Sequence, residues 1–202
     1  MTRPLLKNLF SNQELLYFYE AVNSVEVPVD KFGQYIKDED ADPKVSASLG
    51  RLKASRFFDS MPNQIKDKLE KVAKEISGVD MSLRNSSYAE YSADYGHPDL
   101  PPHVDGDSND MIINFQLSSN TNWELGLDLS TYKLEDNSAI IFNPNTTIHW
   151  RPKKTFNDGE YVKMIFFRLC DAVNQKDYSH LPNDPDDKMF SEVVKFRDSL
   201  DI

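Results

Sequence analysis

The sequence predicts a mainly β domain supported by helices, and three observations carry that reading. Two segments with helical apolar spacing come first in the chain. From residue 84 onward the apolar period shortens to that of a strand, with side chains alternating between two faces. Clusters of Asn, Asp, Ser and Pro then cut the remainder into short strands with no helical segment between them, which points to antiparallel pairing. At 202 residues, 39% of them hydrophobic, the chain suffices for one domain with a substantial core and falls short of two.

Taken in order, Ser11-Asn12-Gln13-Glu14 reads as a capping box that starts a helix, with Leu15, Phe18, Tyr19 and Val22 on one face. Between Val25 and Arg56 the signals are mixed: an extended piece at Glu26–Val29 and an acidic patch, Asp38–Asp42, ending at Pro43, predict loops and edge strands. Pro62 opens a second helix in which Ile65, Leu69, Val72 and Ile76 share a stripe, and Gly78 stands where a C-terminal cap belongs. After Arg84, Ala89, Tyr91, Ala93 and Tyr95 alternate with Glu90, Ser92 and Asp94, the pattern of a strand. Met111–Leu117, the alternating Trp123–Leu129, Ser138–Phe142 and Tyr161–Leu169 supply further strands. A Pro/Asn/Asp-rich stretch, His180–Asp187, precedes a last amphipathic helix with Met189, Val193, Phe196 and Leu200 on one side.

Helices followed by a run of short antiparallel strands predict an α+β fold: a double-stranded β-helix (jelly roll, cupin-like) buttressed by N-terminal helices. Residues 1–202 are read as a single domain. Within it, 1–83 form mainly helical support, 84–169 the β-helix core with its metal site, and 170–202 a C-terminal extension with a helix.

The net charge of −10 argues against a broad phosphate-binding surface and disfavours a nucleic-acid partner. Cys170 is the single cysteine, which excludes an internal disulfide; the apolar run Met164–Leu169 beside it marks a buried structural thiol and fits a reducing cytoplasm. Met1–Phe10 lacks the apolar core of a secretory signal, and no stretch approaches the roughly 18 apolar residues of a membrane span, so no membrane partner is expected.

The chemistry concentrates at His103-Val104-Asp105. On extended backbone, residues two apart point the same way, so an imidazole and a carboxylate aim at one point. With His149 arriving from a later strand, the set becomes two histidines and one carboxylate, a facial triad with open coordination positions that suits non-haem Fe(II).

Around this triad, Tyr91, the loop Tyr95-Gly96-His97-Pro98-Asp99-Leu100-Pro101-Pro102, the strand Met111–Leu117, Leu125-Gly126-Leu127, Pro144 and the closing strand together resemble the 2-oxoglutarate/Fe(II)-dependent oxygenase superfamily. Over residues 84 to 169 the resemblance is to its prolyl 4-hydroxylase-like branch. It implies His103, Asp105 and His149 as iron ligands and catalytic residues, 2-oxoglutarate as co-substrate, O2 as oxidant and ascorbate as reductant. The implied reaction hydroxylates a peptide or amino acid and releases succinate and CO2. Fe(II) held by two neutral imidazoles and one carboxylate keeps about one unit of positive charge, which attracts such an anionic co-substrate.

The family usually anchors the distal carboxylate of 2-oxoglutarate on an Arg or Lys of the strand after the second histidine. Here Tyr161 stands in that place, and Lys163 is the first basic residue after Gly159. Lys163 and Tyr161 share a strand face and are the expected co-substrate contacts, with Arg168 on the opposite face by parity. Tyr91 is expected to hydrogen-bond co-substrate or, equally, to be a core tyrosine. Arg151 and Trp150, beside His149, are expected substrate contacts, Trp123 a packing residue, and His97 and His180 surface residues. Two other readings stay open: an oxidative demethylase of nucleic-acid bases, which the acidity opposes, and a non-catalytic or zinc-binding cupin-like barrel.

Overall fold

The structure is a computed structural model that describes residues 4–25, 44–48, 50–55, 60–96, 98, 100–105 and 109–173, with 195, 196 and 199. A short strand β1 (Leu5–Lys7) leads into α1 (Asn12–Asn23). The helix starts where the capping box requires: the Ser11 side chain accepts from the Glu14 amide and the Glu14 carboxylate accepts from the Ser11 amide. A hairpin of β2 (Lys44–Ser48) and β3 (Arg51–Ser55) follows, then α2 (Asn63–Ser77), closed by Gly78 at φ 74°. The α2 stripe is Ile65, Leu69 and Ala73, rotated from the expected one, and Ile76 is 37% exposed because the packed face passes through Ala73 instead.

The remaining strands are β4 (Met81–Ser92), β5 (Leu100–His103), β6 (Met111–Ser119), β7 (Leu125–Leu127), β8 (Ser130–Tyr132), β9 (Ser138–Phe142), β10 (His149–Arg151) and β11 (Tyr161–Asp171). Among the described residues they form two antiparallel sheets, one of seven strands ordered β1-β9-β6-β11-β4-β3-β2 and one of four ordered β5-β10-β7-β8. This is the jelly roll expected from the sequence, with the two helices on the outer face of the larger sheet. Phe18, Val22, Ile65 and Leu69 pack there against Ile113, Phe115, Ile165 and Phe167. The space between the sheets holds a second core of Tyr91, Ile112, Leu125, Leu127, Ile140, Phe142, Val162 and Met164. Strands β6 and β9 are buried on both faces, which is why neither alternates in sequence.

Two local expectations are corrected. The alternation from Trp123 to Leu129 yields strand only at β7; Asp128 turns the chain at φ 51° and leaves Leu129 84% exposed. Ala93–Tyr95 form a 3-10 turn beyond β4, so the strand lies earlier than its alternation suggests. Glu26–Val29, Asp38–Asp42, His97, His180 and most of the C-terminal amphipathic helix, Met189, Val193 and Leu200 included, lie outside the described residues.

Candidate metal centre

Strand pairing brings the histidines together. His103 ends β5, His149 begins β10, and the two are direct partners in the antiparallel register, so their side chains leave the same face of the smaller sheet. Their ring centroids are 4.2 Å apart. Asp105 follows β5 in a loop tied down by its own amide, which donates to the Pro144 carbonyl at 2.9 Å. Its Oδ1 lies 3.6 Å from His103 Nε2 and 3.4 Å from His149 Nε2. The ligand atoms of all three residues fall within 4.8 Å of one another.

Each imidazole is oriented by its other nitrogen. His103 Nδ1 donates to the Pro101 carbonyl at 2.8 Å and His149 Nδ1 to the Thr147 carbonyl at 3.0 Å. That tautomer leaves both Nε2 lone pairs facing Asp105, as metal ligation requires. Phe142 packs against the His149 ring at 5.2 Å. Burial, followed by the nearby His149, holds the His103 imidazolium below the ordinary histidine range and so favours the neutral ligand form. Burial works against ionisation of Asp105, but the imidazolium forms of His149 and His103 would favour its carboxylate, and until a metal binds they outweigh burial and hold the carboxyl below the usual range. Two neutral imidazoles and one carboxylate, gathered on one side of a common point, fit a six-coordinate Fe(II) with positions open to other ligands.

The triad borders a cavity of about 110 Å³ between the sheets. Arg151, two residues beyond His149 on the same strand face, lines it and is only 5% exposed. Its Nη1 donates to the Trp123 carbonyl at 2.6 Å, and its guanidinium lies 4.6 Å from the Trp123 ring centre. Among the described residues no carboxylate pairs with it. Burial therefore pulls its pKa down to about 10, and the nearby Tyr91 phenol opposes that fall. Tyr91 lines the same cavity, edge-on to Trp123 at 4.8 Å. Asn114, in the middle of β6, is 4% exposed, lines the cavity and has no partner for its side-chain oxygen among the described residues.

Lys163 lies elsewhere. In β11 the residues Val162, Met164, Phe166 and Arg168 turn toward the space between the sheets, while Ile165 and Phe167 face the helices. Lys163 shares the helix-side face by parity and pairs with Glu90 at 3.7 Å, its ammonium 5.5 Å from the Tyr161 ring. Neither Lys163 nor Tyr161 lines the cavity. Trp150 borders it, yet its ring lies on Gly126, where an added Cβ would come within 2.1 Å of the indole; the ring also donates to the Asp128 carbonyl at 3.3 Å. Arg51 and Lys53 of β3 also line the cavity, and sequence reasoning passed over them. Their signal was the alternation Arg51-Leu52-Lys53-Ala54, in which Leu52 and Ala54 are buried on the helix side. For Asn114 the signal was a polar residue inside an otherwise apolar run.

No protein-family model and no curated protein matches the sequence. Solved structures do match in fold. The non-heme alpha-ketoglutarate-dependent epimerase SnoN from nogalamycin biosynthesis superposes with a TM-score of 0.61 at 9% identity, covering 91% of this chain and 85% of its own. A 2OG-Fe(II) oxygenase-family oxidoreductase from Burkholderia pseudomallei gives 0.57 at 8% identity, over 83% of this chain and 84% of its own. HygX from Streptomyces hygroscopicus, solved with nickel and 2-oxoglutarate bound, gives 0.55 at 10%, over 85% and 83%. The chain has the jelly-roll fold of the 2-oxoglutarate/Fe(II) oxygenases, and it carries a His-Asp-His set able to hold a metal ion.

Proposed function

We propose that the protein is an Fe(II)- and 2-oxoglutarate-dependent dioxygenase, a single domain over residues 1–202 working in the cytoplasm, that hydroxylates a C–H bond of a peptidyl or free amino-acid side chain. One observation supports this above others: a two-histidine, one-carboxylate set and a buried guanidinium with no counter-ion among the described residues share one small cavity between the sheets. His103, Asp105 and His149 hold the metal through both Nε2 atoms and the carboxylate. When bound, Fe(II) with 2-oxoglutarate and O2 supplies the oxidation, one oxygen atom of O2 entering the product and the other succinate as CO2 leaves.

The chain's own groups bind and orient. Arg151 takes the part expected of Lys163: an uncompensated buried cation calls for an anion, and the distal carboxylate of 2-oxoglutarate matches its planar fork. Two residues of strand place it roughly 6.6 Å along the backbone from His149, about the length of a five-carbon diacid. The Tyr91 hydroxyl and the Asn114 amide, either end of which can face the ligand, are free to hydrogen-bond the same molecule. Trp123, Phe142 and Met164 keep water away from it, which strengthens these charge interactions.

The test is turnover of purified protein with Fe(II), 2-oxoglutarate and ascorbate. Succinate is expected to form with the wild type and to fall to background in His149→Ala, while a screen of peptides and amino acids identifies the substrate by a mass gain of one oxygen. Absence of both 2-oxoglutarate binding and turnover in the wild type overturns the reading.

A further inference from the structure

The cavity holds more positive charge than the proposed reaction uses. Among the described residues its charged lining consists of one carboxylate, Asp105, and four cations: Arg51, Lys53, Arg151 and Arg168. With Asp105 committed to the metal and Arg151 to the co-substrate, Arg51 and Lys53 are left over, and Arg168, whose guanidinium bonds Ser87, lines the cavity with them. In a chain of net charge −10 such a gathering at the chemical centre is not a solvated average.

These three groups are placed by the sheet. Lys53 of β3 pairs with Ala89 of β4, a cavity-lining residue, and Arg51 lies two residues away on the same strand face. From β11, on the other side of β4, Arg168 reaches Ser87, its Nη1 donating to Oγ at 2.9 Å. Among the described residues neither Arg51 nor Lys53 forms an ion pair. Burial, and after it Arg51 and Arg168 close by, pulls the Lys53 ammonium below the ordinary lysine range, against an opposing pull from Asp105. Keeping two unpaired cations half-buried beside a third costs stability that an arriving anion returns.

We infer that the amino-acid substrate carries an oxyanion, a carboxylate or a phosphate monoester, that seats among Arg51, Lys53 and Arg168 and holds the neighbouring C–H bond toward the His103–Asp105–His149 centre. The inference rests on the oxygenase reading for the use made of that C–H bond. Forked guanidinium groups suit either oxyanion, and the acidity of the rest of the chain disfavours a polyanion.

Calorimetric titration of the full chain, loaded with Ni(II) and saturating 2-oxoglutarate, uses two probes, inorganic phosphate and malonate. Saturable binding of at least one is expected in the wild type; the tighter probe identifies the oxyanion, and either result supports the inference. The double variant R51Q/K53Q is expected to weaken that binding about tenfold or more, and R51K/K53R to stay within about threefold, with 2-oxoglutarate affinity unchanged within about twofold in both. Thermal melting of the charge-retaining variant separates loss of charge from loss of fold. No saturation by either probe, binding unchanged in R51Q/K53Q, or an equal loss of 2-oxoglutarate affinity in that variant overturns the inference. Should the wild type bind a probe through these residues yet not bind 2-oxoglutarate, the oxygenase reading fails and the anion subsite stands.

Discussion

Replacing Arg151 by leucine separates two contributions that a buried charge normally entangles. Without ligand, the guanidinium is buried with no carboxylate partner among the described residues, and the fall of its pKa from the usual arginine range to about 10 corresponds to roughly 3 kcal/mol of unfavourable burial. Leucine removes that penalty. It also removes the donor to the Trp123 carbonyl, worth about 1–3 kcal/mol, and the stacking on the Trp123 ring, worth about 0.5–2 kcal/mol. These opposing contributions nearly cancel, so the ligand-free variant should unfold in urea within about 2 kcal/mol of the wild type. Binding behaves differently: the distal carboxylate of 2-oxoglutarate would meet an apolar wall and lose about 2–5 kcal/mol, a fall in affinity of about 30-fold or more. The chain has two tryptophans, one against Arg151 and one bordering the cavity, so quenching of their fluorescence reports the titration. An affinity within about threefold of the wild type refutes the assignment of Arg151. A ligand-free destabilisation well above 3 kcal/mol refutes the charge-burial argument beneath it.

Three further outcomes are expected. Lys163→Met leaves 2-oxoglutarate affinity within about twofold and costs at most about 1 kcal/mol, since only a partly exposed pair with Glu90 is lost; a tenfold fall in affinity by the same fluorescence titration would return the anchor to Lys163. Gly126→Ala drives a methyl into the Trp150 indole and displaces the strand that carries His149, so melting should report a loss of about 1–3 kcal/mol together with weaker Ni(II) binding; an unchanged melt contradicts the tight packing. Burial works against ionisation of Glu14, but Lys68 and the Ser11 cap hold its carboxyl below the ordinary range. The stability it contributes is therefore present above the unfolded value near pH 4.3 and is lost as pH falls through the folded one. Urea midpoints measured from pH 5 down to pH 3 should drop less in Glu14→Gln than in the wild type, and equal drops in the two proteins contradict the assignment.

The parts legible in the sequence are those set by neighbours along the chain. The capping box at Ser11 and Glu14 places the start of α1 by itself, and β9 runs over the apolar segment Ser138–Phe142 as read. The spacing of His103 and Asp105 and the strand position of His149 suggested a common target, and the β5–β10 register brings the three together. What was not legible depends on which side of a strand meets which layer. Strand β11 is covered on both faces, so Val162-Lys163-Met164-Ile165-Phe166-Phe167 carries no amphipathic signal to orient it, and which of its faces carries Lys163 toward the cavity could not be read from that segment. The same limit hid Arg51 and Lys53, whose inward face is defined by pairing with β4, far along the chain. Trp123–Leu129 misled in the other direction: its alternation is real, but the turn at Asp128 belongs to the smaller sheet's tight hairpin between β7 and β8.

The most direct measurement is a crystal structure of the chain with Ni(II) and 2-oxoglutarate, the metal located by its anomalous scattering. The account predicts one ion bonded to His103 Nε2, His149 Nε2 and an Asp105 carboxylate oxygen, at about 2.0–2.2 Å, with the distal carboxylate of 2-oxoglutarate on the Arg151 guanidinium. An ion bound away from these three side chains, or a distal carboxylate turned away from Arg151, contradicts it.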